Sequence, residues 1–189
     1  MNEELAAYIT RLCELSGHTT RIDDDVILVK PGEGYTDVYE AFTMVKEYYS
    51  FGYFERYSFS GSYFGSASFE IFKKFAIMHF AADIRAAHQI PPLNVPVVTD
   101  VHLGFSIEFL EPIAYLLTSK ASPIPTTFTS FSPAALLSLS YLMGTSSEDL
   151  LSLVLEPSGD GYVALFECPP ASTPTGTKSQ NNSNHVGIL

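Results

Sequence analysis

Apolar residues recur at helical spacing from the start of the chain, at Leu5, Tyr8, Ile9, Leu12 and Leu15. Asn2 stands where an N-cap belongs, Glu3 and Glu4 suit the positive end of the helix dipole, and Gly17 is a natural stop. The spacing predicts a helix over residues 3–16. The period then changes. Arg21-Ile22-Asp23-Asp24-Asp25 reads as a charged turn before the β-branched run Val26-Ile27-Leu28-Val29, which Pro31-Gly32 ends. Two longer strand-like runs follow, Val38 to Lys46 and Tyr48 to Phe59. In the second, Tyr49, Phe51, Tyr53, Glu55, Tyr57 and Phe59 share one face, and Ser50, Gly52, Phe54, Arg56 and Ser58 share the other. Three consecutive runs of this kind predict an antiparallel meander.

Gly61-Ser62 and Gly65-Ser66 break the pattern ahead of a helix from about Ala67 to Ala87. Its stripe is Phe69, Phe72, Ala76, Phe80 and Ile84, widened by Ile71, Phe75, Met78 and Ala82, a face broad enough for a central helix laid on the sheet. Pro91, Pro92 and Pro96 keep the chain extended up to a strand at Phe105–Phe109. Ala114 to Thr118 reads as another strand and Ser122 to Ser130 as a Pro/Thr loop. Ser132-Pro133 opens a helix running to Gly144, and Thr145 or Ser146 caps the next one at Glu148-Asp149-Leu150-Leu151. Pro157 to Gly161 makes a turn, and Tyr162 to Phe166 is expected as a last strand.

The fold class that follows is α+β: an antiparallel sheet, meander plus C-terminal strands, packed against a long central helix and shorter helices, two of them after the sheet. From Pro169 the composition turns to Pro, Ser, Thr, Asn, Gln and Gly, with too little apolar surface to offset the entropy of ordering. The expected organisation is one domain over residues 1–168 and a disordered polar tail over 169–189.

Composition narrows the function classes. The chain is 46% apolar and 16% charged, with 14 Phe, 11 Tyr and no Trp, in keeping with a globular, aromatic-rich domain. Its formal charge is −11, and Lys178 in the tail makes residues 1–168 alone −12. Such a field opposes nucleic acid and anionic membranes, and either maintains solubility or steers a basic protein partner. Cys13 and Cys168 make neither a metal-ligand spacing nor a disulfide framework and read as reduced, semi-buried thiols. Met1-Asn2-Glu3-Glu4 is no signal peptide and no apolar run reaches spanning length, so a cytoplasmic location is expected.

Candidate chemistry is sparse. His79 and Asp83, four apart on the long helix, have the spacing of two metal ligands without a third; a polar pair on the wet side of an amphipathic helix explains them as well. Asp23-Asp24-Asp25 lacks the alternation, glycine and distal Glu of a calcium loop. No nucleophile elbow or phosphate loop occurs. No cofactor or metal is expected. The tyrosines of the Tyr49–Tyr57 run, with Tyr63 and Phe64, are either sheet core or a partner interface, where Tyr and Arg are enriched.

The order of motifs is more telling. Phe80-Ala81-Ala82-Asp83-Ile84-Arg85 leads to Ile90-Pro91-Pro92-Leu93-Asn94-Val95-Pro96 and then to Gly104-Phe105-Ser106-Ile107, with Leu139-Ser140-Tyr141-Leu142 and Gly161 to Phe166 closing the series. This succession resembles the immunity proteins that neutralise the tuberculosis necrotizing toxin, over roughly residues 3–167. Gln89-Ile90 stands where that pattern has Gly-Leu, and the 169–189 tail has no counterpart in it. The resemblance implies a non-catalytic antitoxin that binds an NAD-cleaving toxin one to one and occludes its NAD pocket. It also implies that Phe80, Ile84, Phe105 and Ile107 shape the core, and it assigns no interface residues. Turns and hairpin ends usually display binding groups, which makes Asp23, Asp24, Asp25, Glu55, Arg56, Tyr57 and Tyr63 the toxin-interface candidates. The competing readings are a small hydrolase or other enzyme with a site around His79, Asp83 and Arg85, and a generic acidic adaptor.

Overall fold

A computed structural model describes residues 1–30, 38–110, 114–121, 127–129 and 132–167. The tail beyond residue 168, Cys168, and most of the Ser122–Ser130 segment lie outside the described residues. The elements in chain order are α1 (Glu3–Ser16), β1 (Thr20–Asp23), β2 (Val26–Val29), β3 (Val38–Val45), β4 (Tyr48–Glu55), β5 (Ser58–Ser66), α2 (Phe69–Ala87), β6 (Phe105–Leu110), β7 (Ala114–Ser119), β8 (Thr127–Thr129), α3 (Ala134–Leu142), α4 (Ser147–Leu155) and α5 (Asp160–Ala164). Among the described residues eight strands form one antiparallel sheet in the order β1-β2-β3-β4-β5-β8-β7-β6. The α+β expectation is met.

Helix ends follow their capping residues. Asn2 accepts the Leu5 N–H at 2.9 Å, Gly17 closes α1 at φ 74°, Ser68 caps α2, and Ser146 Oγ accepts the Asp149 N–H at 3.1 Å to open α4. The sheet register places Ile27, Phe42, Phe51 and Phe64 in one row across β2 to β5, facing α2. Phe72, Phe75, Ala76, Phe80 and Ile84 of α2 are buried against that row, and the rings of Phe64 and Phe75 stack with centroids 3.8 Å apart. Ala82, expected on the stripe, is exposed, and Ile77 is buried in its stead. Phe105 and Ile107 are half-buried and pack against this core.

Five local expectations are corrected. The supposed turn at residues 21–25 is mostly β1, with the reversal confined to Asp24 and Asp25. The Tyr48–Phe59 run is cut by a reversal at Arg56-Tyr57, so Phe59 pairs with Phe54 on the far face and does not extend the Tyr49–Phe51–Tyr53 row. Gly61 and Gly65 lie inside β5, where register shifts absorb the extra residues. A Cβ on Gly65 would meet the Phe128 ring at 2.6 Å, so glycine is what lets that ring lie flat on the strand. Thr127–Thr129, assigned to a loop, is the short strand that joins the two halves of the sheet, its Thr127 hydroxyl 2.9 Å from that of Ser66 in the interior.

The fifth correction concerns the end of the domain. Tyr162 to Phe166 is α5 and its last turn, not a strand. Tyr162 and Phe166 are four apart and both buried, with ring centroids 5.5 Å apart, and Phe166 stacks on Tyr141 of α3. Burial at a period of four selects the helix. Among the described residues three short helices, not two, therefore follow the sheet.

Candidate partner-binding surface

The residues with catalytic potential are committed to the fold. Arg85, in the last turn of α2, is 1% exposed. Its guanidinium donates to the carbonyl oxygens of Val154 and Glu156 at 2.7 Å each, of Pro157 at 3.1 Å, and of Pro91. Five N–H groups in a planar fork suit such a cluster of carbonyls at the end of a helix, where α4 leaves its last carbonyls unpaired. His79 lies 3.0 Å from Glu40 of β3 among the rings of Phe42, Phe51, Phe75 and Phe80, while Asp83 reaches His18 at 3.2 Å. The helix spacing of His79 and Asp83 therefore serves two separate ties, one to the sheet and one to the end of α1. Among the described residues no three His, Cys, Asp or Glu side chains come together as a metal site. Burial, aided by Glu40 and Glu14, pushes the Cys13 thiol up to about 12, leaving it an inert core residue.

A second tie joins α2 to α4. Glu70 accepts hydrogen bonds from the Ser147 N–H at 2.7 Å and its hydroxyl at 2.9 Å, and pairs with Lys73 at 2.9 Å. Burial acts to raise the Glu70 carboxyl, but these donors outweigh it and hold the group below its ordinary value. Lys74, beside it, is buried with its ammonium on the Met143 carbonyl at 3.1 Å, and burial lowers its pKa.

The helix-free face of the sheet has a different character. Its central positions are small or short, Ala41, Thr43, Ser50, Gly52 and Gly65, and aromatic rings lie over them: Phe59 over Gly52 and Phe128 over Gly65, with Tyr48 edge-on to Phe128. A Cβ on Gly52 would collide with the Gly61 carbonyl as well as with Phe59. At one end of this face a recess of about 300 Å³ is lined by Arg21, Tyr39, Phe54, Arg56 and Tyr57. The Arg21 guanidinium lies 5.5 Å from the Tyr39 ring centroid and 3.3 Å from the Asp23 carboxylate. Two arginines and three aromatic residues thus line one recess on an acidic chain.

The rim of the recess is a strained turn. Arg56 and Tyr57 connect β4 to β5 with φ of 49° and 69°, the left-handed conformation at both corner positions, where Asn-Gly is preferred. Neither residue has a short side chain to ease that geometry, and each position costs about 1 kcal/mol relative to glycine. Tyr57 is 97% exposed, so its ring gains nothing within the domain.

The structure separates the sequence candidates. Glu55, Arg56 and Tyr57 meet at this rim, and Asp23 reaches it through Arg21. Asp24 and Asp25 lie at the other end of the strands, where the Thr43 hydroxyl donates to the Asp25 carbonyl and the Asp25 carboxylate pairs with the Met1 ammonium. Tyr63 packs edge-on against Tyr53, on the side that carries α2. Arg21, Tyr39 and Phe54 escape a linear reading; the alternation that pairs Phe54 with Arg56 was its one signal, and Tyr39 opposite Phe54 depends on register.

No described helix is long and apolar enough to cross a membrane. The fold is similar to that of Rv3902c from M. tuberculosis, with a TM-score of 0.64 and 18% sequence identity over 84% of this chain and 91% of that one. No curated protein matches the chain. The model of one family, Immunity protein 61, matches residues 12–162, from within α1 into α5, and the chain belongs to that family.

Proposed function

We propose that this protein is a cytoplasmic antitoxin that binds an NAD-cleaving toxin one to one and occludes its active site without catalysing a reaction itself. Membership of an immunity-protein family supports the antitoxin role, and the motif order from Phe80 to Phe166 supports the class of toxin. The non-catalytic reading is supported by the engagement of His79, Asp83 and Arg85 in ties between elements.

The observation that carries the choice of surface is the Arg56-Tyr57 turn. Backbone strain and a fully exposed aromatic ring persist where something outside the fold uses them. The toxin then docks on this rim and on the helix-free face, with Arg21, Tyr39, Phe54, Arg56 and Tyr57 at the centre. The acidic remainder of the domain faces the basic surroundings of an NAD pocket. Residues 1–168 suffice for this, because the polar tail has too little apolar surface to build a binding face.

The test is rescue of cells expressing the candidate NAD-cleaving toxin, read as growth and NAD content, together with affinity for the purified, inactivated toxin. The full chain restores both, while Arg56→Ala with Tyr57→Ala folds normally and loses rescue. No binding of the full chain to any NAD-cleaving toxin encoded beside it sinks the function. Unchanged affinity of the double variant sinks the location alone.

A further inference from the structure

The two edges of the sheet are not alike. β1 is four residues long, bears Arg21 and Asp23, and turns away at Asp24 with φ 51°, the devices that keep an edge from pairing. β6 at the other edge has six residues, Phe105-Ser106-Ile107-Glu108-Phe109-Leu110, with one charge, and Phe109 and Leu110 are 55% and 45% exposed. Among the described residues no strand pairs with its outer side.

The direction of its free backbone groups follows from one bond. The Lys120 N–H donates to the Gly104 carbonyl at 2.6 Å, and Gly104 opposes Lys120 in the β6–β7 register. Groups pointing to β7 alternate, so residues 104, 106, 108 and 110 bond inward, whereas the N–H and C=O of Ile107 and Phe109 and the C=O of Phe105 point to the open edge.

We propose that a second copy of this chain covers the edge, by antiparallel pairing of β6 with β6 about a two-fold axis at Ile107. That register opposes Ile107 to Ile107 and Phe105 to Phe109 on the helix side of the sheet. On the other side it opposes Ser106 to Glu108, which spares the two glutamates a like-charge contact. Displacing the axis to residue 108 would set Glu108 against its own copy. Self-complementarity of this kind is what a two-fold interface requires, and it makes the second copy the occupant. The helix-free recess at the opposite end of the sheet stays open.

Sedimentation velocity of the full chain across a concentration series tests this. The expected species has twice the 20.8 kDa chain mass. Phe109→Pro removes an outward N–H and leaves the β6–β7 ladder whole, so it should give a folded monomer with an unchanged circular dichroism spectrum. Two further variants act through charge and keep the pairing testable even if the proline variant fails to fold. Ser106→Glu should weaken the dimer by tenfold or more, and Ser106→Lys should strengthen it at low salt. A wild-type monomer at hundreds of micromolar overturns the proposal. So does a dimer indifferent to the Ser106 pair, or a monomer that dimerises only after residues 169–189 are removed, which would make the tail the cover.

Discussion

Arg85 and Glu156 lie 71 positions apart, and the Arg85 guanidinium donates to the Glu156 carbonyl at 2.7 Å in the interior of the domain. The same nitrogen holds Val154, so one side chain at the end of α2 closes the end of α4 and, through Pro91, anchors the start of the extended segment that leads to β6. No carboxylate pairs with it among the described residues; the buried charge is satisfied by carbonyl dipoles alone. Arg85→Met leaves those carbonyls unpaired and should cost about 3 kcal/mol or more, read as a fall in the urea midpoint. Arg85→Lys should recover only part of it, because an ammonium has no planar fork.

Phe80 sits between the sheet and the end of α1, against Phe42 and the imidazole of His18. It is 1% exposed, and Phe80→Ala should destabilise the domain by roughly 3–5 kcal/mol. A thermal midpoint within a degree or two of wild type would remove α2 from the core.

The Arg56-Tyr57 turn invites a substitution that separates stability from binding. Arg56→Asn with Tyr57→Gly supplies the residues that φ values of 49° and 69° favour, and should stabilise the domain by about 1–2 kcal/mol. The same variant should bind the toxin at least tenfold more weakly. A gain in stability with unchanged affinity would mean the turn is not in the interface.

Acid should act through Glu70. Its folded-state pKa is held down, so the stability it contributes is fully present above the unfolded carboxylate value and is lost as pH falls through the folded one. Unfolding midpoints should therefore drop below about pH 4.5, and Glu70→Gln should flatten that drop while lowering stability at neutral pH. A slope identical in the two proteins would place the acid sensitivity elsewhere.

Association with the toxin should slow as salt rises. A domain of formal charge −12 over residues 1–168 meeting a basic NAD pocket is steered by long-range attraction that ions screen. Stopped-flow rates between low and moderate salt report this directly, and a flat response rules out steering.

Elements whose signals are local can be read from the chain alone. α1, α2 and α4 are marked by an N-cap residue and an apolar period of 3.6, and β2, β3 and β7 by β-branched or alternating runs; each of these needs only neighbours in the chain to be legible. The acidic, aromatic character and the motif order that pointed to immunity proteins were legible for the same reason. The remainder depends on contacts between distant segments. Thr127–Thr129 is a strand because Gly65 leaves room for Phe128 and Ser66 meets Thr127, contacts between residues about sixty positions apart. Tyr162–Phe166 is helical because Tyr141 offers a surface that a period of four can reach. Arg85, His79 and Asp83 read alike as polar residues on a helix, and only the elements packed against them made one a buried clamp and the others ties to β3 and α1. The recess formed by Arg21, Tyr39, Phe54, Arg56 and Tyr57 draws on four segments whose meeting is set by strand register, which depends on pairing energy summed across the sheet.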